Sequence, residues 1–311
     1  MNKIIERILR NLNDLELIHK LSELPKSDLN SLLLELYKTQ TDKLSPTEVL
    51  KSYETNRFVA PSELNPVQYH KLEADLLAVA ERFGIKGLLL SPNAPLGSCS
   101  VFGCVDQNKV ISATRGVETL SDPTNQLAVH IAAQLKNKEI DHKLPIHLCT
   151  TARVTRAQSF SGSGFFAHFG IFCIVSSGKA SGTYLCEKEL LVTQLAYYKK
   201  LLMEKYQAKL SVVLRKRSGY TDNDGFFAKM TELMKEELPD VPLSFDLEHE
   251  DNHYYKGINF KIYMHIGDEK VEIGDGGYVD WIQRMTGNKK ERCLISGIGL
   301  DRLLMFDSQK V

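Results

Sequence analysis

The chain has 311 residues, 43% of them hydrophobic and 25% charged, enough for one large core with a smaller appendage and incompatible with wholesale disorder. Lys+Arg and Asp+Glu are balanced at 39 each, so no global positive field draws the protein to nucleic acid or an anionic membrane. No apolar run approaches the roughly 20 residues that span a bilayer. The opening MNKIIERILRNLNDLELI is amphipathic and lacks the features of a signal peptide. The expected location is the cytoplasm, with no membrane partner.

The first sixty residues read as helices, with apolar positions recurring at three and four in IIERILRNLNDLELIHKL and DLNSLLLELYKTQ. Ser27-Asp28 is the expected cap of the second helix, and SPTE, Ser45 to Glu48, has capping-box spacing for a third. Pro61 and Pro66 disfavour helix in the residues before them, which places a boundary near 62 between a helical region, 1–62, and a core, 63–311. A helix over VQYHKLEADLLAVAERFG ends at Gly84 and feeds a strand, GLLLSP; SVFGCV and KVISAT read as two more strands. The helix TNQLAVHIAAQLKN follows, then strands in PIHLCTTARVTRAQ and GIFCIVSS around a Gly/Ser turn, Ser161 to Gly164. Next come the helix EKELLVTQLAYYKKLLMEKY, the strand KLSVVLRKR and the helix DGFFAKMTELMKEEL. Strands INFKIYMHI, EKVEIGD and RCLISGIG lead to a last helix starting near Leu300. Strands in hairpin-like succession without βαβ alternation predict an α+β fold, an antiparallel sheet flanked by helices with an N-terminal helical extension.

Two arginine-bearing segments stand out. In GIGLDRLL a strand runs through Gly297 and Gly299 into a helix with Arg302 in its first turn. Glycine admits close backbone approach, the helix start offers free N–H groups, and arginine adds a fork for phosphate. In TTARVTRAQ, Arg153 and Arg156 are an odd number of residues apart, so in a regular strand only one of them faces a given site.

ARVTRAQ with its return strand resembles motif 2 of the class II aminoacyl-tRNA synthetases, and GIGLDRLL resembles motif 3. The preceding helix and GLLLSP, with Pro92, resemble motif 1, the dimer element. HYYKGINFKIYM and DGGYVDW are similar to segments of histidyl-tRNA synthetase and its non-tRNA paralogues. The resemblance covers Val67 to Phe306 and implies an ATP-binding, adenylate-forming ligase acting on an amino acid or related carboxylate. It implies that Arg156 holds the α-phosphate and reacting carboxylate, that Arg302 holds the γ-phosphate, and that Phe169 and Gln158 contact the adenine. It also implies that Gly297 and Gly299 line the nucleotide, and that Asp122, Thr124, Tyr254, Tyr255, Gly276 and Gly277 line the substrate. Mg²⁺ accompanies ATP, with Glu272 and Asp275 as candidate ligands but no assigned metal site, and a homodimer is implied by motif 1.

Gln158 stands where the family has Glu, Ile171 where it has Gln, and Glu250 where the synthetase has a catalytic arginine. These departures support a second reading: a non-catalytic, amino-acid-sensing subunit resembling the regulatory partner of ATP phosphoribosyltransferase. Because the chain stops soon after motif 3, no C-terminal anticodon-binding domain is expected, and tRNA is not the expected partner. His249 to His253 spell HEDNH and satisfy HExxH, but the loop-like context argues against a zinc hydrolase. The six cysteines form no CxxC pair and read as buried free thiols. Tyr197-Tyr198 read as packing residues, the basic end of KLSVVLRKR as a solvated terminus, and the Ser161–Gly164 turn as a lid over ATP.

Overall fold

The computed structural model describes residues 2–141, 143–158, 167–246 and 254–307. Four helices open the chain: α1 (Lys3–Asn11), α2 (Leu17–Ser22), α3 (Lys26–Thr41) and α4 (Pro46–Thr55). The capping box forms as expected. The Ser45 hydroxyl accepts from the Glu48 N–H while the Glu48 carboxylate accepts from the Ser45 N–H. The Ser27-Asp28 cap does not form: α3 already starts at Lys26 behind Pro25, and the Ser27 hydroxyl donates to Asp28 inside the first turn. Polar bonds tie this region to the rest. Arg57 donates to the carbonyls of Ala157 and Gln158, and His168 Nε2 lies 2.6 Å from the Ala60 carbonyl.

Helix α5 (Pro66–Arg82) is capped by Asn65, whose side chain accepts from the N–H groups of Val67 and Gln68. It ends at Gly84, whose φ of +68° lets the Ile85 N–H turn back to the Ala80 carbonyl. The next stretch departs from the strand expectations. Of the segment around GLLLSP only β1 (Lys86–Gly87) is a strand, SVFGCV folds as a π-helical turn over Ser98–Phe102, and KVISAT supplies only β3 (Ser112–Ala113). The reason is tertiary. Glu118, on β4 (Val117–Thr119), is fully buried and accepts from the N–H groups of Gly97 and Cys99, pinning the loop to a small sheet ordered β2 (Asn93–Pro95), β4, β3.

The remaining elements are α6 (Pro123–Lys136), β5 (Ile146–Thr155), β6 (His168–Lys179), α7 (Leu185–Tyr206), β7 (Lys209–Lys216) and α8 (Asn223–Glu237). After them come β8 (Leu243–Phe245), β9 (Lys256–Ile266), β10 (Glu269–Val279), α9 (Trp281–Thr286), β11 (Glu291–Gly299) and α10 (Leu300–Asp307). The large sheet has the order β1-β5-β6-β11-β10-β9-β7-β8. It is antiparallel at its centre, as expected, and parallel where β1 and β8 are added at the edges. The fold is α+β, a mixed sheet flanked by helices.

Alternation along the strands sorts the two faces. Phe172, Ile174, Phe260, Ile262, Leu294 and Ile298 pack with α5, α7 and α8. Cys173, Val175, Val279 and Ile295 pack on the other face against Leu127 and Ile131 of α6 and Trp281 and Ile282 of α9. Tyr197 and Tyr198 are buried packing residues, the Tyr198 hydroxyl lying 2.8 Å from Ser296 Oγ. All six cysteines are free, and all but Cys104 are buried. No helix among the described residues is long and apolar enough to cross a membrane.

Candidate functional site

Beyond the part of the second sheet face that α6 and α9 cover, polar residues replace apolar ones, and a cleft of about 190 Å³ opens. Asp122, Thr124, Arg156, Tyr254, Tyr255 and Asp275 line it over a floor that includes Ile171, Ile295 and Gly297.

Asp122 is the N-cap of α6. Its Oδ1 accepts from the Thr124 N–H at 3.0 Å and the Thr124 hydroxyl at 2.7 Å, and its Oδ2 accepts from the Tyr254 hydroxyl at 3.2 Å. The helix start favours a negative charge there. Burial, then the Asp122 charge, holds the Tyr254 phenol well above its ordinary value, so it stays a donor. Burial and Asp275, to which it hydrogen-bonds, do the same for Tyr255. The two rings meet edge-on at 4.8 Å, and Tyr254 also stands edge-on to Trp281 at 5.5 Å.

Arg156 sits one residue past β5. Its N–H bonds the Ala167 carbonyl, its Nε donates to the Ser121 carbonyl at 3.3 Å, and its guanidinium lies 5.0 Å from the centre of the Phe169 ring. Arg153 points to the opposite face, 5.6 Å from the Tyr69 ring of α5 and 2.5 Å from His168 Nδ1. The parity expectation holds, and Arg156 is the arginine in the cleft.

Of the other expected site residues, all but Gly297 lie outside the cleft lining. Arg302 is exposed in the first turn of α10 and donates to the Glu272 carbonyl, outside the cleft lining. Gly297 lines the cleft, where a Cβ would come 3.1 Å from Ile171, and Gly299 ends β11 opposite Ile171. Gly276 and Gly277 are buried within the sheet. A Cβ on Gly276 would stand 2.5 Å from the Ile295 carbonyl, and one on Gly277 2.5 Å from the Tyr255 ring, so Gly277 is what lets that ring lie against β10. Gln158 is half-buried two residues beyond Arg156, and its carbonyl accepts from Arg57. The expected lid, Ser161 to Gly164, together with Glu250, His249 and His253, lies outside the described residues.

The basic end of β7 is engaged by polar partners rather than simply solvated. Arg215 pairs with Asp246 at 2.8 Å, Lys216 pairs with Asp224, and buried Arg217 donates to Asn259 at 2.7 Å.

Glu272 and Asp275, the carboxylates considered for Mg²⁺, are bridged by a side chain of the chain itself. Lys261 Nζ lies 2.8 Å from Glu272 and 3.3 Å from Asp275. A divalent ion needs oxygen ligands at roughly 2.0–2.6 Å, so it does not fit between these two while the ammonium is there. No group of three or more His, Cys, Asp or Glu side chains among the described residues is placed to hold a metal. Lys261 was missed in the sequence although a signal existed. In INFKIYM the polar Asn259, Lys261 and Tyr263 alternate with apolar Ile258, Phe260 and Ile262, marking a strand with one polar face.

The site therefore presents a helix-anchored carboxylate, a guanidinium on a ring and two donor phenols around a space of small-molecule size. No protein-family model and no curated protein matches the chain. Among solved structures it is similar to an ATP phosphoribosyltransferase regulatory subunit/histidyl-tRNA synthetase from Bacillus halodurans, at 15% identity and TM-score 0.59 over 80% of this chain and 82% of that one. It is similar to a histidine–tRNA ligase subunit from Alicyclobacillus acidocaldarius, at 13% identity and TM-score 0.55 over 81% and 96% of the two chains. It is also similar to apo histidyl-tRNA synthetase from S. aureus, at 11% identity and TM-score 0.57, covering 79% of this chain and 66% of that one. At these identities the likeness is one of fold: the chain contains a class II aminoacyl-tRNA synthetase-like core.

Proposed function

From that fold we propose that the cleft binds an α-amino acid, or a closely related carboxylate, beside ATP and activates it as an acyl-adenylate. The observation that carries the reading is Asp122 and Arg156 in one cleft of about 190 Å³: a carboxylate for an ammonium group and a guanidinium for a carboxylate. Drug-sized ligands occupy roughly 300–1,000 Å³, so this space suits an amino acid and leaves the nucleotide outside it, over Arg156 and Phe169 and toward Arg302. In the reaction a substrate carboxylate oxygen attacks the α-phosphorus and pyrophosphate leaves. Arg156 offers its charge to the phosphorane that develops, and positioning supplies much of the rest. Mg²⁺ would travel on the ATP phosphates rather than in a protein cage.

The protein is proposed to act as a homodimer through the surface around β1, where Leu89 is 98% exposed. ATP–pyrophosphate exchange over a broad amino-acid panel tests the activity; no exchange with any acid, together with no ATP binding, refutes it. The second reading, an amino-acid-sensing regulatory subunit, draws support from Arg302, whose guanidinium is engaged by the Glu272 carbonyl, and from neutral Gln158. Amino-acid binding without exchange would select it.

A further inference from the structure

Glu272 and Asp275 are three residues apart, and in a regular strand they would face opposite sides. A bulge between Glu272 and Gly274 changes this: Ile273 enters the core under the sheet, and Glu272 and Asp275 come to the same face. On β9, Lys261 lies in register with Asp275, and Tyr263 in register with Glu272. The Lys261 ammonium spans both carboxylates, and the Tyr263 hydroxyl donates to the second Glu272 oxygen at 3.2 Å. Lys261 is 19% exposed, and the two carboxylates outweigh its burial, so the ammonium stays charged. Arg302 acts on Glu272 as well. The two carboxylates are therefore already met by cations of the chain itself.

We infer that Lys261 is a built-in counter-cation standing where a divalent metal would otherwise bridge Glu272 and Asp275. This surface then binds no divalent ion of its own, and removing the ammonium creates a site for one. The consequence for ATP rests on the nucleotide reading above, but the exchange of ammonium for metal stands on these side chains alone. Two carboxylates brought to one face with no cation between them are hard oxygen ligands of the type that suits Mg²⁺, Ca²⁺ and Mn²⁺.

The test is Mn²⁺ titration of the full chain, followed by the electron paramagnetic resonance signal of free Mn²⁺. Wild type and Lys261→Arg are expected to show no saturable binding. Lys261→Met is expected to bind one ion with a dissociation constant on the order of 0.1–1 mM, the range of weak oxygen-ligand sites. Adding Glu272→Gln to Lys261→Met is expected to weaken that binding at least about tenfold, the loss of one charged ligand. Should Lys261→Met not fold, Lys261→Gln, which retains a donor, carries the comparison. Stoichiometric Mn²⁺ binding by wild type that Glu272→Gln abolishes overturns the inference. So does a folded Lys261→Met or Lys261→Gln protein that gains no binding. Because the readout needs neither ATP nor turnover, failed pyrophosphate exchange leaves this result standing.

Discussion

Asp122→Asn and Asp122→Ala are expected to part company, because the Asp122 carboxylate both caps α6 and faces the cleft. Asparagine retains an oxygen for the Thr124 N–H and hydroxyl and is as good an N-cap as aspartate, so what is lost is the interaction of charge with the helix start, about 0.3–1 kcal/mol, and the second oxygen that accepts from the Tyr254 hydroxyl. Alanine removes the cap itself, about 0.5–2 kcal/mol, together with the acceptor of the Thr124 hydroxyl and one acceptor of the Tyr254 hydroxyl. A further loss of about 1–3 kcal/mol from those donors leaves the alanine variant roughly 1.5–5 kcal/mol below wild type and the less stable of the two, read as a fall in the urea midpoint. Binding orders the variants differently. A charge-assisted hydrogen bond to a substrate ammonium is worth about 1.5–3 kcal/mol, so both should weaken amino-acid binding roughly 10- to 150-fold, including the stable asparagine protein. Calorimetric titration with the amino acid that supports exchange measures this. If Asp122→Asn binds within about twofold of wild type, Asp122 is a helix cap only, and the proposed ammonium site is wrong.

Arg156→Ala should lower pyrophosphate exchange on the order of 100-fold, the usual cost of removing a preorganised donor at the reacting centre, while Arg153→Ala, on the other face of the same strand, should leave it within about threefold; equal losses would refute the facial assignment. His147, hydrogen-bonded to Ser176, is held by burial at about 4, down from 6.5. The unfolded chain therefore takes up its proton first, so stability should fall as pH drops from about 6.5 to about 4 and level off below, by up to about 3 kcal/mol. Urea midpoints along that range should show the fall in wild type and a flatter profile in His147→Gln. Leu89→Asp should turn a dimer into a monomer in light scattering at micromolar concentration; a monomeric wild type at that concentration would remove the dimer proposal.

What the sequence determined by itself is what depends on neighbours along the chain. Helical periodicity located α5, α6, α7 and α8, and Gly84 closed α5 because a left-handed residue there costs glycine little. Strand parity separated Arg153 from Arg156, since alternation is a property of one strand. The tertiary structure decided whatever depends on which strands meet and in what register. Buried Glu118 holds the start of the Ser98–Phe102 helical turn, in a run legible as a strand, because its carboxylate must be satisfied by main-chain N–H groups. The bulge on β10 brought Glu272 and Asp275 to one face, and pairing with β9 set Lys261 between them, a grouping that spacing alone contradicts. Gly276 and Gly277, plausible substrate contacts as letters, are held to glycine by the Ile295 carbonyl and the Tyr255 ring. Arg302 keeps its place at the start of α10, but only the fold shows its guanidinium bonded to the carbonyl of Glu272, thirty residues earlier in the chain. Local conformation is written in consecutive residues, whereas the charge seen by a ligand is set by side chains that only folding brings together.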